Sequence, residues 1–162
     1  MRLSRFSGHI FLLAVGVGCV IFTSCHGGET VWTKSVNLPE SKWNRENKLV
    51  FEPDTEKLIM DNARRLVLFV RYRADASLKT LPLIVETESS VEGFEYTLDS
   101  VWMRLFDDRG VPLGAGNYGV YEKADTFELT YPIIEGWNLT AAPALAEEET
   151  DGIISFGISL LK

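Results

Sequence analysis

Arg65-Leu66-Val67-Leu68-Phe69-Val70-Arg71-Tyr72-Arg73 is the stretch that decides the fold. Leu66, Leu68, Val70 and Tyr72 share one parity; Val67 and Phe69 share the other, with Arg71 and Arg73 beyond them. A period of two belongs to an extended strand, in which successive side chains point to opposite faces. Apolar residues on both parities predict a central strand, with one face in the core and the other partly covered.

The same pattern recurs on either side. Leu81–Glu88 follows as a second strand, with Leu81, Leu83 and Val85 alternating against Pro82, Ile84 and Glu86. Pro82 lacks an N–H, so it belongs at a strand start or a sheet edge. Glu95–Phe106 changes phase: Tyr96 and Leu98 share one parity, whereas Val101, Met103 and Leu105 share the other. A one-residue slip flips every side chain, so a bulge is expected near Asp99–Ser100. Asp107-Asp108-Arg109-Gly110 reads as a turn. Thr126–Ile133 alternates, with Phe127, Leu129, Tyr131 and Ile133 inward, and Trp137–Ala142 continues after Glu135-Gly136. Glu147–Thr150 with Asp151-Gly152 forms an acidic loop and turn, and Ile153–Leu161 closes the chain with Ile154, Phe156, Ile158 and Leu160 on one face.

Upstream of the decisive strand, Val31–Leu38 reads as a strand stopped by Pro39, and Trp43 stands in a polar loop. Asn47–Glu52 is a short strand with Leu49 and Phe51 on one face. Glu56–Asn62 has the content for one helical turn but too few apolar residues for a packed helix. About eight short strands, frequent turns and no long amphipathic helix predict an all-β fold: an antiparallel β-sandwich, jelly-roll-like.

The first residues are of a different kind. Arg2 and Arg5 precede the apolar run Ile10–Phe22, and Thr23-Ser24-Cys25 follows. A basic start, an apolar middle and small residues before a cut make an export signal. The run is shorter than the roughly 20 apolar residues of a membrane span. Phe22-Thr23-Ser24-Cys25 also resembles the lipobox of bacterial lipoproteins, which implies acylation of Cys25 and removal of residues 1–24. Gly16-Val17-Gly18-Cys19 is a rival site, but it leaves a shorter apolar core. The expected organisation is a signal peptide over 1–24, a lipidated Cys and short tether over 25–30, and a sandwich domain over 31–162. Several acyl chains anchor a protein firmly, where one binds marginally. Surface-exported lipoproteins often carry an acidic cluster after the Cys; here Glu29 stands alone, which favours a periplasm-facing outer-membrane lipoprotein.

The chain carries 16 Lys and Arg against 23 Asp and Glu, a formal net charge of −7. The leader removes only basic charge, so the mature domain is more acidic still. This argues against nucleic acid or an anionic membrane as direct partner. With two Cys and two His in the whole chain, and only Cys25 and His26 left after cleavage, there is no disulfide framework and no base for a Ser-His-Asp or Cys-His arrangement. Zinc has no ligand set. No cofactor, metal or catalytic residue is expected.

Gly114-Ala115-Gly116-Asn117-Tyr118-Gly119 matches G-x-G-x-x-G by letter. That motif binds dinucleotides only between a strand and a helix; here Val120-Tyr121 continues as strand, so a glycine-rich turn is expected. Glu86 with Glu88, and Asp107 with Asp108, are the carboxylate pairs a hydrolase would need, and Asp107, Asp108 and Asp151 the nearest approach to a Ca²⁺ set; solvated surface is the expected role of each. Trp32, Trp43, Trp102 and Trp137 either fill the core or form a sugar-stacking platform on one sheet face, so a glycan is the alternative partner. Asp99-Ser100-Val101 resembles the Asp-Ser/Thr-apolar site of Bacteroidetes periplasmic O-glycosylation, which makes Ser100 a candidate for that modification.

Several of these stretches together resemble one family. Leu38-Pro39 followed by Trp43, Leu68-Phe69-Val70-Arg71-Tyr72 with the strand at Leu81–Val85, Leu113–Gly119, Gly136-Trp137, and Asp151-Gly152-Ile153-Ile154-Ser155-Phe156-Gly157-Ile158 are similar, in order, to segments of the gliding motility lipoprotein H family of Bacteroidetes. Trp137 stands where that family often has Tyr, and Pro143-Ala144 where it often has a basic methionine segment. The resemblance implies a non-enzymatic envelope lipoprotein whose partners are envelope proteins of the gliding and secretion apparatus, and it brings no catalytic residues.

Overall fold

A computed structural model describes residues 28–89, 95–129 and 133–162, and of 95–99 the backbone only. Cys25, the leader 1–24 and the start of the tether lie outside the described residues.

The decisive stretch forms β4, Arg65–Arg73. Leu66, Leu68, Val70 and Tyr72 are fully buried, and Val67 on the other face is nearly so. β4 lies between β11 (Ile153–Leu161) and β8 (Val120–Glu128), in a five-stranded sheet completed by β1 (Thr30–Asn37) beyond β11 and β7 (Ala115–Asn117) beyond β8. The second sheet runs β3 (Leu49–Phe51), β9 (Asn138–Pro143), β5 (Thr80–Glu88) and β6 (Glu95–Arg104). A small separate ladder joins β2 (Lys42–Asn44) to β10 (Glu149–Asp151).

All described pairings are antiparallel. Of the connections between the strands of the two large sheets, only β5–β6 and β7–β8 stay within one sheet; β1 to β3, β3 to β4, β4 to β5, β6 to β7, β8 to β9 and β9 to β11 all cross between them. That path is the jelly roll. The core lies between the sheets. Phe156 of β11 meets Trp43 at 5.1 Å and Phe51 at 6.1 Å between ring centroids, while Tyr72 meets Phe106 edge-on at 5.4 Å. Tyr72 Oη donates to the Leu105 carbonyl at 2.7 Å, giving a buried polar atom its partner.

The expected bulge is present: Leu83 pairs with Val101 and Val85 with Leu98, so Asp99 and Ser100 oppose the single residue Ile84. A second bulge was not expected. Ile153 pairs with Tyr72 while Ser155 pairs with Arg71, which puts Ile153 in the core and leaves Ile154 half-buried. Other expectations shift. Trp43 is not in a loop; it sits on β2, fully buried, with Nε1 donating to the Asn47 carbonyl at 2.9 Å. The polar stretch after β3 holds a short packed helix, α1 (Thr55–Met60), capped by Asp54 and pinned by buried Leu58. Of the strand expected at Thr126–Ile133, the first residues end β8, with Phe127, and Leu129 just beyond it, half-buried against the core; Ile133 is buried, and Tyr131 lies outside the described residues.

Candidate functional site

The outer face of the four-stranded sheet carries the exposed aromatic. β5 turns Leu81, Leu83 and Val85 into the core at 0% exposure, so Pro82 and Ile84 face outward. β6 turns Met103 inward, so Trp102 faces outward with 68% of its surface exposed. Pro82 and Trp102 are paired across the two strands, and such pairs lie within about 5.5 Å at Cβ. Ile84, 43% exposed, pairs with Ala142 of β9. Trp102, Pro82, Ile84 and Ala142 thus form an apolar strip across three strands.

Polar groups bound it. Glu86 pairs across to Thr140, and its carboxylate lies 3.5 Å from Lys48 Nζ. At the other end Arg104 donates through Nε to the Phe106 carbonyl at 3.1 Å and meets Asp108 at 2.5 Å. Ser100, at the bulge, is exposed on the same edge strand as Trp102. Pro82 fits because its carbonyl accepts from Ala144 N–H just past the end of β9, so its missing N–H falls where that pairing has run out.

The four tryptophans do not form one platform. Trp43 and Trp137 are buried, Trp32 packs against the core, and only Trp102 of the four is largely exposed. Parity could have singled it out: with Val101, Met103 and Leu105 inward, Trp102 has to point outward.

The carboxylates noted in the sequence hold local structure. Asp107 Oδ1 accepts from the N–H groups of Arg109 and Val111, closing the turn before Gly110 (φ +82°). Asp151 meets Arg73 at 3.1 Å, far along the chain from the Asp108–Arg104 pair. Arg73 also holds the Asp75 carboxyl below its usual pKa. Among the described residues, no group of His, Cys, Asp and Glu converges as a metal site. The glycine-rich segment is the β7–β8 hairpin: Asn117 pairs with Val120 around Tyr118 (φ +49°) and Gly119 (φ +81°). Positive φ at both central residues is the type I′ turn. A Cβ on Gly116 would come within 2.1 Å of the Val120 carbonyl oxygen, so glycine serves close strand pairing here and no phosphate cradle forms.

The outer face of the five-stranded sheet has a shallow cavity of about 260 Å³ between Thr33, Val67, Phe69, Ala124 and Ser159. It faces away from Trp102, on the opposite side of the sandwich.

No protein-family model matches the chain, and no curated protein matches it. Among solved structures it is similar to a carbohydrate binding module from glycoside hydrolase family 9 of Ruminococcus flavefaciens, at 10% identity and TM-score 0.44, over 80% of this chain and 98% of that one. It is similar to Eiger TNF from S. frugiperda at 11% identity and TM-score 0.34, over 83% and 88%. A structure of Cocksfoot mottle virus aligns at 10% identity and TM-score 0.32, over 100% and 95%. At these values the likenesses bear on neither family nor ligand.

Proposed function

We propose that this chain is a lipid-anchored, non-enzymatic binding protein of the bacterial cell envelope, which holds a partner on the outer face of its four-stranded sheet. The observation that carries the reading is Trp102, largely exposed beside Pro82 and Ile84 on the outer face of the sheet. An exposed aromatic on an edge strand, at one end of an apolar strip with a polar rim, has the composition of an interaction hot spot. The charged groups around it, Arg104 with Asp108 and Lys48 with Glu86, are paired with one another.

On this reading Cys25 carries the acyl groups, and the tether keeps the domain at a membrane, where a raised effective concentration lets a modest interface suffice. The resemblance to the gliding motility lipoprotein H family supports an envelope protein as partner and an outer-membrane, periplasm-facing location. Palmitate labelling should mark the native chain and fail with Cys25→Ser; label lost in a Cys19 variant instead would move the anchor.

A second reading keeps the face and changes the partner. Trp102 beside Pro82 offers a flat apolar surface of the kind on which a sugar ring stacks. A glycan array probed with the domain from Thr30 onward separates the two: specific binding lost with Trp102→Ala supports the sugar, and a blank array supports the protein partner.

A further inference from the structure

The sandwich has two unlike ends. Thr30, Leu161, Arg65 and Glu128 are paired at one end of the five-stranded sheet, and Asn37, Arg73 and Val120 stand at the other. Trp102 belongs to the second end, because β6 runs on to Leu105, whose carbonyl accepts from Tyr72 at the far end of β4. The chain enters at the first end, and α1 leads into β4 there.

An ion-pair cluster ties these entry elements together. Lys162 Nζ lies 3.1 Å from Glu29 and 3.6 Å from Asp61, the residue at the C-terminal end of α1. Lys162 N–H donates to the Glu29 carbonyl at 3.0 Å, and Arg65 donates to the Lys162 carbonyl at 3.2 Å. The end of α1 is therefore fixed beside the point where the chain comes in. From there Ile59 and Met60 project, 48% and 86% exposed, while their neighbour Leu58 is 1% exposed and holds the helix down. Residue 28 is three residues from Cys25, a reach of at most about 11 Å. Two large apolar side chains held this close to an acyl anchor would be covered by the bilayer that takes the anchor.

We propose that Ile59 and Met60 seat this end of the sandwich in the headgroup layer of the membrane carrying the Cys25 anchor, which turns the Trp102 end away from the bilayer. The inference rests on the anchored reading above. The contact is apolar and adjacent to the anchor, so it asks for no anionic lipid, in keeping with an acidic chain.

The test uses the full lipidated chain in phosphatidylcholine vesicles, with an environment-sensitive dye at Met60→Cys or, as control, at Tyr118→Cys on the other end; the acylated Cys25 thiol does not react. Blue-shifted emission and quenching by brominated lipid at 60 but not at 118, with Ile59→Asp reversing both at unchanged vesicle flotation, is the expected result. Emission at 60 as water-like as at 118 in vesicle-bound protein would overturn the seating and leave the anchor standing. A chain that does not float with vesicles, and whose N-terminal peptide has no added acyl mass, would overturn the anchored reading and this inference with it.

Discussion

Pro82 and Trp102 face each other across β5 and β6, on the side of the sheet turned away from the core. Folding does not require this pair, since neither residue fills the interior. Trp102→Ala should therefore change stability by no more than about 0.5–1 kcal/mol. Trp43→Ala, at a fully buried position against Phe156, should cost about 3–5 kcal/mol. Urea unfolding of both variants checks the contrast; a large loss at Trp102 would make it a structural residue.

The two phenylalanines expected in the core should also differ. Phe156 is fully buried, so Phe156→Ala should cost about 3–5 kcal/mol. Phe127 is half-buried near the end of β8, and its replacement should cost roughly half as much. Equal losses would mean that Phe127 is as deep as its parity alone suggests.

What was legible in the sequence, and what was not, follows from length and period. β4 was readable residue for residue because nine positions alternate without interruption. The bulge at Asp99–Ser100 was readable because apolar residues stand on both sides of the slip and reveal it. The bulge at Ile154 was hidden: Ile153 and Ile154 are both isoleucine, so the pattern cannot say which one turns inward. Four strands have only three residues: β3 still shows in the sequence because Leu49 and Phe51 flank Val50 on one parity, whereas β2, β7 and β10 hold no such apolar pair, and Trp43 therefore reads as a loop residue. The outward face of Trp102 was implied by its neighbours' parity, but the cross-strand register that sets Pro82 opposite it comes only from tertiary pairing.

Tyr72 makes the protein sensitive to alkali. Burial raises its phenol pKa, and the neutral hydroxyl donates to the Leu105 carbonyl. A raised folded-state pKa contributes stability that is complete below the unfolded value, about 10, and is lost as pH climbs toward the folded one. Tyr72→Phe should cost about 1 kcal/mol at neutral pH, since Leu105 also accepts from Leu113 N–H and keeps a partner. The loss of stability between the native chain and this variant should shrink as pH rises above about 10. A gap constant with pH would place the phenol in solvent.

Tyr118 is fully exposed at a left-handed position of the β7–β8 turn. Left-handed backbone costs a non-glycine residue about 1–2 kcal/mol, partly offset in a glycine variant by the entropy of its unfolded chain. Tyr118→Gly should raise stability by up to about 1 kcal/mol, seen as a higher thermal midpoint. A fall would mean that the ring has a packing partner.

Photocrosslinking in living cells from a reactive residue at position 102 tests whether a partner is held on the Trp102 face. Phe69, on the opposite sheet, serves as the control position. One defined envelope component should be captured from 102 and be absent from 69. Equal background from both positions, together with a hydrolytic activity of the domain abolished by replacing one Asp or Glu, would contradict it.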